Sequence, residues 1–329
     1  MDVALNAQPG IPGLTAQQSR AAKIFFPYAA EKTLAAVPAG QRFVHYTGAE
    51  TALKIFRAKE VWLRKSTCMN DFREIDHGFE CLNHAYKERR EHFKQMLDAM
   101  FPEFTTNLEN QFNGWLPHFR TDTYITCLSE HHESEDRTGR LSMWRAYGGD
   151  AGVALVLNST VFLTPSDALK AYTSPVAYLL QDGFLREYDR LLASIEENRE
   201  FVRSLGQEAV LGYIFEAFRA AILCTKHPGF REELEWRVIH SPLYRPSARI
   251  RREIEPIRGV PQPVYKIMLE DIPAEGLIGA AIPSLVDRII IGPTRHPEVI
   301  REAFVDVLRN IGVDVPETRV FASDIPLRM

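Results

Sequence analysis

Residues 42–66 read RFVHYTGAETALKIFRAKEVWLRKS, and the pattern changes twice within them. Residues 42–47 are rich in β-branched and aromatic side chains, which predicts a strand. In the next segment Ala52, Ile55 and Phe56 recur at helical spacing, and Glu50 falls in the first turn, where its charge suits the helix dipole. From Val61 the pattern returns to a strand, with Val61 and Leu63 on one face and a polar turn, TCMNDFRE, after it. Strand, helix and strand in so short a span point to an α+β chain. They also raise a chemical question, because a strand built only for packing has little use for the imidazole of His45.

Outward from this stretch the same alternation continues. Residues 76–109 carry a helical pattern interrupted at Pro102. TYITCLSE (123–130) alternates like a strand and leads into a polar loop, HHESEDRTGR (131–140). LSMWRAYGGD (141–150) reads as a short helix closed by glycines, which tolerate the left-handed exit. AGVALVLN (151–158) is an apolar strand buried on both faces, and TSPVAYLL (173–180) is expected beside it. Residues 183–226 are predicted as a helical insertion, with Leu191, Leu192 and Ile195, and then Ile214, Phe215 and Phe218, at three and four spacing. Further strands are expected in 232–241, 263–270 and 285–294. Residues 296–312 form a well-marked amphipathic helix, with Pro297 in its first turn and Gly312 at its end. No internal repeat interrupts this order. The expected fold class is α+β with a mixed or antiparallel β core. The expected organisation is an N-terminal helical or loose extension (1–40) and a single domain (41–329) carrying the helical insertion.

Composition bounds the function classes. The chain has 329 residues, 45% hydrophobic and 25% charged, with a formal net charge of −4. That is long enough for a substantial core, and the charge argues against a general polyanion binder. The four cysteines form no CxxC pair, which suits a reducing compartment. The N-terminal residues lack the basic and apolar regions of a secretory signal, and no stretch approaches the length of a membrane span. A cytoplasmic protein without membrane contact is therefore expected.

Several motifs recur together in one order: HYTGAETALKIF, WLRKSTCMNDFRE, TCLSE, SMWRAYGGDAGVALVL, EELEWRVI, IIIGPT and SDIPLR. In that order, over roughly residues 42–328, they resemble the bacterial family catalogued as domain of unknown function 2971. A second resemblance concerns the site. In ADP-ribosyltransferases an early strand supplies a His or Arg with a following Tyr or Thr, a second strand supplies a Ser-Thr element, and a later strand supplies a Glu, sometimes as Glu-x-Glu. The matching positions here are His45 with Tyr46 and Thr47, Ser66 with Thr67, and Glu233 with Glu235. No aromatic loop between the second and third elements is identified, and the insertion before Glu233 is long. The resemblance implies a fold of that class and NAD as substrate. It also implies a protein or nucleic-acid acceptor and a setting in phage defence or toxin systems.

The chemistry follows from what NAD cleavage requires. Breaking the nicotinamide–ribose bond passes through a cation-like sugar, which a carboxylate stabilises. Glu235 is the expected stabiliser, Glu233 the group that orients or deprotonates the acceptor, and His45 the ribose ligand. Thr47 shares the His45 face of a regular strand, Tyr46 takes the other, and Ser66 is expected to bridge to the glutamate. Arg64 and Arg73 suit pyrophosphate, and Trp144 and Tyr147 suit stacking on a base or nicotinamide. No metal is required.

A plainer reading stands beside each of these. His45 as a core residue, Ser66-Thr67 as a turn and the two glutamates as a solvated face are all common outcomes. Arg237 is a natural ion-pair partner for either glutamate. The segment MNDFREIDH, with Asp71, Glu74, Asp76 and His77, suggests a divalent metal and a phosphodiesterase. Against this, an Asx turn and a capping box explain the same residues. HHESED (131–136) is read as a solvated loop rather than a metal site. IIIGPT ends in a turn whose amides suit an anion, but the lysine of a P-loop is missing. A non-catalytic nucleotide sensor or partner-binding protein remains the main alternative to an enzyme.

Overall fold

The computed structural model describes residues 10–68, 74–257 and 259–326. The expected Asx turn at Asn70-Asp71, the capping role of the Glu74 side chain and the pyrophosphate role of Arg73 lie outside the described residues.

The chain opens with α1 (Ala16–Phe25) and α2 (Pro27–Ala36). A Thr15–Gln18 capping box starts α1: the Thr15 hydroxyl accepts from Gln18 N, and the Gln18 side chain accepts from Thr15 N. The quoted stretch then forms β1 (Arg42–Gly48), α3 (Ala49–Ala58) and β2 (Glu60–Lys65), as its periodicities require. The helical run divides at Pro102 into α4 (Glu74–Asp98) and α5 (Phe104–Thr121). The second helix runs on through Pro117, beyond the expected end. After β3 (Tyr124–His131) come α6 (Leu141–Met143), a π turn over Trp144–Gly148, and β4 (Gly152–Leu157). Then follow α7 (Thr160–Leu163), β5 (Tyr172–Pro175) and β6 (Ala177–Tyr178). The helical run beyond them is α8 (Gln181–Glu197), α9 (Arg199–Leu205) and α10 (Gln207–Leu223). The rest is β7 (Thr225–Lys226), β8 (Glu235–His240), β9 (Arg251–Ile257), β10 (Val260–Met268), α11 (Ile282–Leu285), β11 (Val286–Ile291), α12 (Pro297–Ile311) and β12 (Val320–Ala322).

Ten of these strands make one mixed sheet, in the order β12-β11-β4-β1-β3-β2-β10-β9, with β8 on the free side of β3 and β5 beside β8. Its pairs are antiparallel except β11 with β12. β5 pairs with β8 rather than with β4, whose neighbours are β1 and β11, so the expected pairing of 173–180 with 151–158 does not form. β6 and β7 pair separately in a two-residue parallel ladder.

The sheet forks at β3. β1 pairs with β3 only from Arg42 to Val44, against His131 to Ser129. Beyond Val44, β1 keeps β4 as partner, while β3 runs beside β8 and ends against β2. A break therefore opens between the two half-sheets, and His45 is the first residue past it.

Helices cover both faces. α1, α4, α5, α8 and α10 bury Phe25, Phe93, Ile214 and Phe215 in one cluster that reaches Ile125 of β3 and Ile239 of β8. The N-terminal helix is thus part of this layer rather than a peripheral extension, and Phe25 stacks on Tyr213 at 4.9 Å. On the other face α3 and α12 pack Phe56 and Phe304 against Phe43, Leu128, Leu155 and Trp236. Each such large side chain contributes roughly 1.5–3 kcal/mol on burial.

The outer strand β9 was not expected from its sequence, because its burial is slight. It pairs with β10 over seven positions. Pro261 and Pro263 lack N–H groups, so the bonded pairs of this ladder are those at Glu253 and Glu255, and the outward amides are those of Arg252 and Ile254. Pro256 removes the next outward donor, which blunts this edge against further pairing. Among the described residues no helix is long and apolar enough to cross a membrane, and the four cysteines are free thiols.

Candidate functional site

His45 sits at the fork. Its Nδ1 lies 3.0 Å from the backbone carbonyl of Cys127. A carbonyl can only accept, so Nδ1 carries the proton and Nε2 is left as the acceptor. Burial pushes the imidazole pKa below its ordinary value, and the bond to the Cys127 carbonyl offsets part of that. The ring is therefore neutral at neutral pH.

Glu235 lies on the other side of Cys127, opposite Ser129 in the β3–β8 ladder. The solvated glutamate face that simple alternation suggests does not exist: Glu235 is 5% exposed, because the helical layer covers it. Arg237 Nε donates to Oε1 at 2.7 Å, and Lys226 Nζ donates to Oε2 at 3.1 Å. Burial alone would raise this carboxyl pKa. The Arg237 and Lys226 charges outweigh it, helped by the Cys127 thiol, and hold it well below the usual carboxylate range. Its backbone N–H donates to the Tyr178 hydroxyl at 2.8 Å.

Glu233 arrives by a different route from the one expected. It ends a 3₁₀ turn, Pro228–Glu233, and Leu234 follows with φ 45°, so the two glutamates do not share one strand face by alternation. They are gathered instead by Lys226, whose Nζ also donates to Glu233 Oε2 at 2.6 Å. Lys226 and Arg237 match the two carboxylates in charge, which is what allows four ionised groups to be buried together. Lys226 also lies 4.7 Å from the ring centre of Phe230, which is exposed at the rim.

The π turn supplies the opposite rim. Trp144 points inward and is fully buried: its Nε1 donates to Thr138 O at 2.8 Å, and its ring meets Tyr46 edge-on at 4.9 Å. Gly139 and Gly292 press on the ring, since a Cβ on either would come within 2.8 Å of it. The expected stacking platform at Trp144 is thus part of the core. Tyr147, three residues on, is 37% exposed. Burial of its phenol, and then the charge of Glu233, push its pKa well above the ordinary value. π turns often mark functional sites, and here the wider turn separates an inward tryptophan from an outward tyrosine.

Arg140 joins these parts. Its guanidinium donates to both oxygens of Glu135, at 2.8 and 3.0 Å, and to the carbonyls of Glu130 and Glu232. Its own N–H donates to the Tyr46 hydroxyl. The HHESED loop is consequently no loose solvated segment. Asp136 pairs with Arg42, Arg288 and His131.

Not every expected residue reaches this place. Thr47 is half-buried on the His45 face of β1, and Tyr46 is buried in the core with Trp144. Ser66 donates its N–H to Thr123 O at the far end of β3, whereas Glu235 faces Ser129. Six residues at about 3.4 Å each put Ser66 and Thr67 roughly 20 Å away, so Ser66 does not bridge to the glutamate. Arg64 lies at that far end too, bonded to Cys68 O and Gln262. Asp76 pairs with Arg120, and His77 bonds Leu179 O. Among the described residues no group of three or more His, Cys, Asp or Glu side chains is placed to hold a metal ion; Asp71 lies outside them. Lys226, Tyr178, Cys127 and Arg140 were not expected. Nothing local marks them, since each gains its role from a partner distant in sequence.

Residues 143–238 match the model of a family described as protein of unknown function (DUF2971), a span that includes Tyr147, Lys226, Glu233 and Glu235. His45 and Ser66 fall outside it. No curated protein and no solved structure matches the chain, so no structural neighbour supports an ADP-ribosyltransferase fold.

Proposed function

We propose that this chain is an NAD-using, ADP-ribosyltransferase-like enzyme acting at the fork between the half-sheets, in a bacterial defence or toxin setting. One observation carries the reading. Glu233 and Glu235, far apart in sequence from β1, are gathered by Lys226 beside β3, and the neutral His45 ring is bonded to the Cys127 carbonyl of that strand at the fork. In this reading the C–N bond to the nicotinamide ribose breaks with its electron pair leaving on the pyridine nitrogen. Positive charge develops at the sugar carbon, where a carboxylate stabilises it. The acceptor then bonds that carbon and gives up its proton.

The two glutamates exchange the roles expected from sequence. Glu235 is sealed behind Arg237 and Lys226, with its side chain 5% exposed, whereas the Glu233 side chain is 20% exposed. Glu233 is therefore the carboxylate assigned to the sugar, and Glu235 positions Lys226 and through it Glu233. His45 Nε2, unprotonated, accepts from a ribose hydroxyl. Tyr147 and Phe230 are exposed aromatic side chains that suit stacking on a base or nicotinamide.

The sealing of Glu235 also favours a second reading, a nucleotide-binding sensor without turnover. Calorimetry with NAD and nicotinamide release by the purified protein distinguish the two. The enzyme predicts release by the wild type and a loss of roughly 10²-fold or more in Glu233→Gln, the scale set by removing one transition-state stabiliser. NAD binding without release supports the sensor. Absence of both rejects NAD. A chelator-sensitive cleavage of phosphodiesters would then return attention to the segment containing Asp71.

A further inference from the structure

A separate pocket of about 120 Å³ lies between the α1–α2 junction, α8 and α10, with β6 and β7 as its floor. Its walls include Phe25, Phe26, Phe184 and Phe218. An apolar cavity of about 150 Å³ holds one benzene, so the volume and the aromatic walls suit a single six-membered ring. Two polar groups stand out, and the Tyr188 hydroxyl is one: it lines the pocket, buried and without a hydrogen bond. Glu187 lines the pocket, and its Oε2 is out of water without a hydrogen bond; the nearest cation, Arg190 Nη1, is 3.5 Å away. A carboxylate oxygen accepts, so a ligand completing it must bring a donor.

The floor connects this pocket to the acidic cluster. β6 and β7 pair over two positions, Ala177 with Thr225 and Tyr178 with Lys226. Side chains alternate along a strand. Ala177 and Thr225 line the pocket, while Tyr178 accepts from Glu235 N and Lys226 holds both glutamates. A displacement of the first pair would reach the second through this two-residue ladder, which is tied to β8 at Glu235.

We propose that this pocket binds a single-ring aromatic alcohol or amine, and that its occupancy resets Lys226 and Tyr178. Control of turnover by this ligand rests on the NAD reading above; binding and its coupling to Lys226 do not. The test uses the full chain and 4-fluorobenzyl alcohol, followed by ¹⁹F NMR. Saturable binding is expected in the wild type and loss of it in Ala221→Phe, which fills the pocket from α10. Ala217→Leu, one helical turn earlier on the same wall, gives a milder filling should the first variant fail to fold. Because coupling is reciprocal, Lys226→Met should shift the probe's Kd by roughly fivefold or more. No saturable binding by the wild type, or binding untouched by a folded filling variant, overturns the site. A Kd unchanged in folded Lys226→Met overturns the coupling. Should nicotinamide release and NAD binding both be absent while these shifts are present, the NAD reading fails and the effector pocket stands.

Discussion

Glu235 is the residue on which the site's electrostatics turn. Two cations grip it in a place that water barely reaches, and removing one partner of such a buried set typically costs about 3–5 kcal/mol. Glu235→Gln keeps the shape, removes the charge and leaves Arg237 and Lys226 short of a counter-ion. A destabilisation of that size is expected in urea unfolding at pH 7. The pH dependence has a definite sign. The folded pKa is depressed, so the contribution is complete above the unfolded carboxylate value of about 4.3. It is lost as pH falls through the folded value of about 2. The wild-type midpoint should therefore fall between about pH 5 and pH 2, and the Gln variant should show a flatter acid limb. Equal slopes would mean that the ion cluster is not what stabilises this corner. At this scale Arg237 is legible as a partner for the glutamates, but the burial of Glu235 and its hold on Lys226 are not, since both depend on how separate segments pack.

Among the elements, the π turn matters most, because it places Tyr147 at the rim while anchoring Trp144 beneath it. Its position depends on a close approach to the start of β4. A Cβ on Gly152 would lie 2.5 Å from Gly148 Cα, and both atoms belong to backbone that cannot swing aside. Gly152 itself has φ −81°, a conformation open to any residue, so the cost of Gly152→Ala is purely steric. Forcing the two backbones apart should cost about 1–3 kcal/mol, read by urea unfolding; if the proposed NAD chemistry holds, nicotinamide release should fall with it as Tyr147 moves. Wild-type stability in this variant would show that the turn is not pinned there. The sequence does disclose a short helix closed by glycines at this place. It does not disclose that the turn is π, since that depends on Trp144 being drawn into a hole between Tyr46, Gly139 and Gly292. The strands show the same division. β1, β2 and β4 are legible from their own residues, and β4 is buried throughout as its apolar run implies. The neighbour of β5 is not, because pairing is decided between segments.

Across the whole molecule, a helical layer packs on a forked sheet, and within that layer α4 comes close to the end of α10. A Cβ on Gly78 would come within 2.3 Å of the Ile222 carbonyl oxygen. Alanine favours a helix over glycine by about 1 kcal/mol, yet here Gly78→Ala should destabilise, because the two backbones must separate. Native-state hydrogen exchange should show protection falling first in α4, α8 and α10, with β1 and β4 less affected. Uniform loss across the sheet and the helices would instead mean that the layers open as one unit. This scale also separates what the chain declares from what it conceals. By itself the sequence determined the α+β class, the strand–helix–strand start, the long helical run before β8 and the amphipathic α12, since each follows from the spacing of side chains along one element. Only the tertiary structure decided that β1 parts from β3 at His45, that Lys226 gathers Glu233 with Glu235, and that Ser66 stands at the wrong end of β3. Spacing tells which side of its own element a residue occupies. What covers that side, and which distant charge meets it there, is settled by how the elements pack.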